Sequence, residues 1–398
     1  MILFFLITIF IYSAYKVSFH RIEKYQQKSG ERLAALPKFY GYFAGAMMAG
    51  VLMGVLCLYQ WMALSLESFF GILLFIGFGV ITLFLLPKTI KPSFKARHTL
   101  EKAGYFLFIV AALLSIVITT VVVLLLISES FRFFTIVPLQ DFLFGTVWSP
   151  EISHGYGKSQ GQYGALPLFA GTFLITGIAL CIGGFLGLMV AIYTSQFANP
   201  LTRTFLKPAL EILAGIPTIV YGFFALTVVA PFLHSLGEWF HLSISSESAL
   251  GAGLVMGLMI LPIISSLSDD ALASLPGELK QNALAMGATP SEAIRTILLP
   301  AAFPGIIGSF LLAVSRAIGE TMLVLMAASL QPNLTGNPLN AVTTVTVQIV
   351  SLLTGDQEFD SPKTLSAFAL ALVLFLMTLA LNIIALFLVN RHAKRYEL

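Results

Sequence analysis

The sequence predicts an all-α integral membrane protein with about nine transmembrane helices. Hydrophobic residues make up 58% of the 398 residues and charged residues only 10%, whereas a soluble domain carries about 25% charged residues. The apolar residues are also grouped into runs long enough for an α-helix to cross a bilayer, which takes about 20 residues. The positive charges lie beside these runs, and the net charge of +3 is too small to indicate nucleic-acid binding.

Nine apolar runs are the predicted spans. They cover residues 2–19, 39–61, 69–86, 105–127, 168–193, 212–233, 250–266, 303–328 and 365–389. The first run lacks the basic leader and the small-residue cleavage site of a secretory signal, so we interpret it as an uncleaved anchor.

Lysine and arginine predict the orientation of these spans. Positive residues cluster at the end of the first span and again after the third: Lys16, Arg21, Lys24, Lys28, Arg32 and Lys38, then Lys88, Lys91, Lys95, Arg97 and Lys102. By the positive-inside rule both clusters lie in the cytoplasm, so the N-terminus lies outside and the C-terminus lies in the cytoplasm. The second basic loop is most simply a topology anchor, and contact with anionic membrane lipid is the weaker alternative.

Two parts of the chain follow from this topology. Residues 1–104 hold three spans and both basic loops and form an N-terminal membrane extension, and residues 105–398 hold the other six spans. The two cysteines, Cys57 and Cys181, lie in apolar segments, which indicates buried thiols and neither a disulfide nor a metal site. No GxxxxGK[ST] loop is present, so the chain should not hydrolyse ATP itself.

Small residues mark positions where two helices approach closely. In the second span they serve either dimerisation or packing within the chain, and we favour packing. In the fifth span they suit a tight helix crossing. These residues are Gly41, Gly45, Gly50 and Gly54, then Gly183, Gly184 and Gly187.

Residues 275–302 interrupt the apolar pattern. The part from 281 to 300 is too polar to cross a bilayer. Gly287, the helix start at Thr289-Pro290 and the closing Leu299-Pro300 predict two short helices joined by a turn.

The next span carries two charged residues near its midpoint, Arg316 and Glu320. Spaced four apart, they share one face of a helix. An isolated charge at that depth costs ~2.5–3.5 kcal/mol on insertion scales, so both should face protein or a water-filled path. The pair is either an ion pair that locks helix packing or part of a solute pathway in which Arg316 meets an anion. We favour the pathway, since intramembrane ionisable residues are functional by default.

These segments carry a family resemblance. Residues 281–300 resemble the EAA loop of ABC-transporter permeases, with Gly287, Ile297, Leu299 and Pro300 at the matching offsets. The segments SRAIGETM, NPLNAVTTVTVQIV and IPTIVYGFFALTVVAPF are similar to phosphate-uptake permeases of the PstC type. The chain departs from the pattern in one place, because Gln281-Asn282-Ala283 replaces the Glu-Ala-Ala of the family.

The resemblance implies a fold and a set of partners. The last six helices would form a type I ABC importer permease core in the bacterial inner membrane. The partners would be a homologous PstA-type permease subunit, an ATP-binding cassette ATPase dimer and a periplasmic phosphate-binding protein. This chain would then be no enzyme and bind no cofactor or metal, because ATP is used by the ATPase subunit.

The resemblance also implies two sets of functional residues. The substrate pathway would hold Arg316, Glu320 and Thr321. The loop that couples the chain to the ATPase would hold Gln281, Asn282, Ala283, Gly287, Leu299 and Pro300.

Some alternatives remain open at this point. The chain could import another oxyanion, such as sulfate or molybdate, or act as a non-transporting phosphate-sensing subunit. An intramembrane enzyme is disfavoured, since HExxH and GxSxG motifs are absent.

Single residues also keep two interpretations. Tyr221 lines the pathway or is a core tyrosine, and Asp269 and Asp270 cap the next helix or contact the ATPase. Three residues of the long loop before the fifth span are candidates for contact with the binding protein or are simply solvated: His154, Tyr156 and Lys158.

Overall fold

A computed structural model shows an almost entirely helical chain. It describes residues 2–29, 35–61, 76–83, 85, 95–150, 161–354 and 360–396. The chain divides into two compact units, Met1–Val121 and Val122–Leu398. His154, Tyr156 and Lys158 lie outside the described residues, as does most of the predicted span 69–86.

The first unit is built on two helices packed side by side, α1 (Ile2–Ser29) and α2 (Pro37–Trp61). A side chain added at Gly41 would lie 2.8 Å from the ring of Tyr15, and one at Gly45 would lie 3.6 Å from Ile11. These two glycines therefore serve packing within the chain, as favoured from the sequence. A Cβ at Gly50 or Gly54 would meet nothing within 4 Å among the described residues.

The boundary between the units falls within a long helix, α3 (Ala96–Phe134). The second unit continues with α4 (Leu139–Phe144) and a two-stranded antiparallel hairpin, β1 (Trp148–Ser149) and β2 (Gln162–Tyr163). The remaining helices are α5 (Leu166–Phe197), α6 (Pro200–Gly215), α7 (Thr218–Trp239), α8 (Ala249–Ala273), α9 (Gly277–Ala285), α10 (Pro290–Ile318), α11 (Met322–Ala327), α12 (Val345–Leu353) and α13 (Pro362–Tyr396).

Six helices in the described part of the chain are long and apolar enough to cross a membrane: α3, α5, α7, α8, α10 and residues Pro362–Phe387 of α13. They overlap the six spans predicted between residues 105 and 389. The first two predicted spans lie in α1 and α2. The total of nine spans stays a prediction, since the third lies largely outside the described residues.

The predicted span 212–233 is interrupted in the structure. Helix α6 ends at Gly215, and α7 begins at Thr218 after Ile216 and Pro217. Proline lacks the N–H that would continue the helix, and it disfavours helical backbone at the residue before it.

Helix α8 lies at the centre of the second unit. Of its most apolar stretch, 67% is buried, against 0% in α3. Helix α5 crosses α8 closely, because a Cβ at Gly183 would collide with the carbonyl oxygen of Gly257 and one at Gly187 would lie 3.0 Å from Ile264. The tight crossing expected of the fifth span is confirmed.

Cys181, on the same helix, has an exposed side chain. The prediction of a buried thiol was wrong here, because the Cys181 side chain is not on the face of α5 that packs against α8. The side chain of Cys57 lies outside what the structure describes.

An aromatic cluster lies where α5 begins. Phe133, Phe142, Trp148 and Tyr163 are buried, and their rings meet edge to face, with centroids 5.3 Å apart for Phe133 and Phe142. Edge-to-face contacts of this kind stabilise aromatic pairs beyond their apolar burial. Burial raises the pKa of the Tyr163 hydroxyl above its ordinary value, so the group stays neutral.

Candidate functional site

Helix α10 ends earlier than the sequence predicts. It stops at Ile318, and Gly319, Glu320 and Thr321 form a junction before α11 begins at Met322. The prediction of one continuous helix over 303–328 was therefore wrong.

Two hydrogen bonds of Glu320 stabilise this junction in place of helix bonds. The Glu320 backbone carbonyl accepts a bond of 2.8 Å from Thr346 Oγ1, and its Oε1 accepts one of 3.3 Å from the Leu323 N–H. The carboxylate thus satisfies a free N–H at the start of α11, as a capping side chain does.

Arg316 lies in the last turn of α10, and its side chain is exposed. Within the described part of the chain its guanidinium makes no hydrogen bond and no ion pair. Its predicted partner, Glu320, is half-buried and bonded to Leu323. The two residues do not share a helix face, because the helix ends between them.

An unpaired guanidinium on a membrane span is expensive if it faces hydrocarbon. Arg316 has five N–H donors, and no residue that the structure describes occupies any of them. That surface of α10 therefore fits a water-filled path or a second subunit better than lipid.

Thr321 lies on the same junction and is half-buried. Its hydroxyl donates to the carbonyl of Gly319 at 3.3 Å, which is a long bond. The hydroxyl has one proton, so while it makes this bond it can only accept a further hydrogen bond.

A buried polar segment at the start of α12 packs against the junction, and its Thr346 donates to the Glu320 carbonyl. Thr344, Thr346 and Gln348 are each less than 9% exposed. Gln348 donates to the carbonyl of Leu330 at 2.8 Å and accepts from the indole N–H of Trp148 at 3.3 Å. This segment joins the junction to the hairpin, a role that sequence reasoning missed. The signal was its run of threonine and glutamine within an apolar stretch.

The predicted coupling loop forms a helix, a turn and a second helix. Helix α9 ends at Ala285, and Gly287 has φ +90°, a value that favours glycine. Thr289 then caps α10 by accepting from the N–H of Glu292, whose carboxylate accepts from the Thr289 N–H at 2.8 Å. This reciprocal capping box is a strong helix start.

The second helix is not short. It runs from Pro290 through Leu299 and Pro300 without ending, so the prediction that these two residues close it was wrong. A π-helical turn, Ile294–Leu298, precedes Pro300. The wider turn accommodates the proline ring, which in an α-helix clashes with the carbonyl four residues earlier.

The other predicted coupling residues differ in exposure. Gln281 and Asn282 are exposed, whereas Ala283 is buried beneath them. Met286, which follows α9, is 89% exposed, the largest value among the exposed large hydrophobic side chains that the structure describes. Leu299 and Pro300 are half-buried. The exposed surface of this segment thus combines polar side chains with two apolar ones, Met286 and Leu284, the latter 40% exposed.

Asp269 does not cap the next helix. Its carboxylate is 2% exposed and lies 2.6 Å from Lys207 Nζ and 3.2 Å from Arg203 Nη2. Thr194 Oγ1 also donates to it at 3.1 Å. The sequence held one signal, since Arg203 and Lys207 are four apart and share a helix face. Nothing in the sequence placed that face against Asp269.

Tyr221 is a core residue and not a pathway residue in this structure. It is 5% exposed, and its hydroxyl donates to the carbonyl of Leu213 at 2.7 Å. Among the residues that the structure describes, no cluster of His, Cys, Asp and Glu could hold a metal ion.

Comparison with known proteins agrees with this arrangement. The family model described as "Binding-protein-dependent transport system inner membrane component" matches residues 183–398. The probable ABC transporter permease protein YqgH of Bacillus subtilis is 34% identical over 263 residues, which cover 66% of this chain and 81% of YqgH.

Two relatives carry a more specific name. The phosphate transport system permease protein PstC of Mesorhizobium japonicum is 31% identical, over 63% of this chain and 78% of its own. PstC of Xylella fastidiosa is 30% identical, over 64% of this chain and 80% of its own. The family match spans more than half of the sequence and includes both the α9–α10 segment and Arg316. This chain belongs to the family of inner membrane components of binding-protein-dependent transport systems.

Proposed function

We propose that this chain is the permease subunit of an ATP-driven phosphate importer. With a homologous PstA-type permease subunit it encloses an anion path across the bacterial inner membrane. The observation that carries the proposal is the guanidinium of Arg316, which lies exposed on a membrane span and has no partner among the described residues. The PstC names of relatives at about 30% identity support phosphate as the anion.

Arginine suits this role chemically. Its planar fork gives a phosphate oxyanion two parallel, charge-assisted hydrogen bonds. Glu320 is engaged with the N–H of Leu323, so it does not neutralise the guanidinium. In our proposal Glu320 holds the junction that places Arg316 and Thr321, and Thr321 contributes a hydroxyl to the path.

ATP hydrolysis belongs to an ATP-binding cassette ATPase dimer. The dimer contacts α9 and the turn at Gly287, where Gln281, Asn282 and Met286 are exposed. Ala283, Leu299 and Pro300 keep this segment attached to the bundle, as their lower exposure supports. Closure of the ATPase dimer displaces the segment and switches access to the path.

The distribution of lysine and arginine supports the proposed topology. The N-terminus lies outside and the C-terminus in the cytoplasm, and residues 105–398 form the permease domain. Residues 1–104 are a membrane extension of this domain. A periplasmic phosphate-binding protein docks on the side of the hairpin, at the end of α5 that lies away from α9.

The test is ATP-dependent uptake of labelled phosphate by the full complex in vesicles. Arg316→Gln should lower uptake by about tenfold to a hundredfold, because a hydrogen bond to a charged group contributes about 1.5–3 kcal/mol. Lys363→Gln removes one positive charge from the start of α13 and is the matched control.

Two results would contradict the proposal. One is unchanged uptake by Arg316→Gln at normal membrane levels. The other is competition by sulfate or molybdate as strong as that by unlabelled phosphate, which would assign the chain to another oxyanion.

A further inference from the structure

The last turn of α5 contacts α8 through Thr194 and α9 through Gln196. This five-residue π-helical turn is Tyr193–Phe197. Thr194 Oγ1 donates to Asp269 of α8 at 3.1 Å. Gln196 Oε1 accepts from Lys280 Nζ of α9 at 2.9 Å, and the Gln196 carbonyl lies 3.4 Å from the same nitrogen. The turn therefore joins the proposed coupling helix to a buried carboxylate.

That carboxylate also holds α6. Asp269 is 2% exposed and is compensated by Lys207 and Arg203, both on α6. A buried charge that loses its partners is strongly destabilising. Helix α6 can therefore leave α8 only if Asp269 finds other partners or becomes solvated.

Ion pairs hold α6 in place together with the partial burial of Leu206, Leu210 and Leu213. Helix α6 has no buried residue. Its apolar side chains Leu201, Phe205 and Ile212 are 72–76% exposed, whereas Arg203 and Lys207 face the bundle. Because no residue of α6 is fully buried and both Arg203 and Lys207 pair with Asp269, a change at that carboxylate can redirect this helix.

A cavity lies beside this contact. Its volume is about 480 Å³, and its lining includes Lys207, Asp269 and Leu312. Leu312 lies on α10, four residues before Arg316. Movement of α6 would therefore alter a cavity one helical turn from the residue that we place in the anion path.

We propose that these contacts form a relay between the ATPase-facing helix and α6. Displacement of α9 moves Lys280 and, through its hydrogen bond, Gln196. The last turn of α5 then moves Thr194, which changes the contacts of Asp269. The change at Asp269 repositions α6. All are positioning residues that touch neither anion nor ATP. The inference rests on the proposed function as an ATP-coupled permease.

The test measures phosphate transported per ATP hydrolysed by the reconstituted complex. Lys280→Met keeps the aliphatic stem and removes the donor, and Gln196→Leu removes the acceptor from α5. Each should lower this ratio by about fivefold or more, the lower end of coupling between distinct sites. The double variant should be no worse than Lys280→Met, because the side-chain contact that Gln196→Leu removes is already absent from Lys280→Met.

Lys280 lies on the helix that faces the ATPase, so Gln196→Leu decides the outcome. A normal ratio in Gln196→Leu, or additive losses in the double variant, would overturn the relay. A second comparison uses adjacent carboxylates. Asp269→Asn should lower the ratio more than Asp270→Asn, since the Asp270 side chain is 65% exposed and its ion pair with Lys207 is longer, at 3.6 Å. Equal effects of these two changes would also overturn the relay.

Failure of the proposed function is separable from failure of the relay. A wild-type complex that hydrolyses ATP without moving phosphate would refute the function. A wild-type complex that imports phosphate, with unchanged ratios in Gln196→Leu and Asp269→Asn, would refute only the relay.

Discussion

Gly287 offers the sharpest test of the proposed coupling segment. A substitution there strains the backbone without causing a steric collision, so the two effects can be told apart. Its φ of +90° is one that side chains other than glycine rarely adopt. A Cβ built on Gly287 meets nothing within 4 Å among the described residues. Gly287→Ala therefore adds backbone strain and no collision.

The backbone strain of Gly287→Ala can be expressed as a free energy. A left-handed conformation costs a residue with a Cβ about 1–2 kcal/mol. That free energy shifts the equilibrium between the turn and competing conformations by a factor of about 5–30. If ATPase closure acts through this turn, phosphate transported per ATP hydrolysed should fall by several-fold in Gly287→Ala, and Gly287→Trp should uncouple the two activities.

The chain supplies a matched control one helix earlier. Gly277 begins α9, has no positive φ, and also has open space around its Cβ. Gly277→Ala should leave the transport ratio unchanged. Gly287→Asn should be milder than Gly287→Ala, because asparagine tolerates this backbone region better. A fully coupled Gly287→Ala complex, or equal losses at both glycines, would refute the reasoning.

Two further predictions concern the junction after α10. Glu320→Ala removes the acceptor for the Leu323 N–H and should lower stability by about 1 kcal/mol, whereas Glu320→Gln keeps an acceptor and should lose less; thermal unfolding of the complex separates them, and equal melting temperatures would contradict the cap. Gln348→Leu leaves the Trp148 N–H and the Leu330 carbonyl without partners and should cost about 1–3 kcal/mol for each. Trp148→Phe removes only the indole donor and should cost less; the reverse order in the same assay would contradict the bridge.

Sequence reasoning recovered the features that local chemistry determines. The six spans of the family core follow from runs of apolar residues, since a bilayer requires that length and composition. The turn at Gly287 and the cap at Thr289 follow from short-range backbone rules. The packing role of Gly41 and Gly45 follows from their spacing on one helix face.

The misses come from interactions that no local pattern contains. Pro300 is normally a helix terminator, but a π-helical turn before it lets α10 continue. The break after Ile318 depends on Thr346, which is distant in sequence and donates to the carbonyl of Glu320. The partners of Asp269 lie on two other helices, so its burial follows only from tertiary packing.

The π-helical turns have a consequence for any attempt to map these spans by their periodicity. Each such turn inserts about one residue into the helical repeat, which rotates everything beyond it by about 100° relative to a regular helix. A helical wheel drawn for α10 from its first turn would therefore assign Arg316 to the wrong side. Helix α5 has one such turn at Leu180–Gly184, so the same error affects the residues from Phe185 onward. Scanning data for these spans need to be plotted separately before and after each inserted residue.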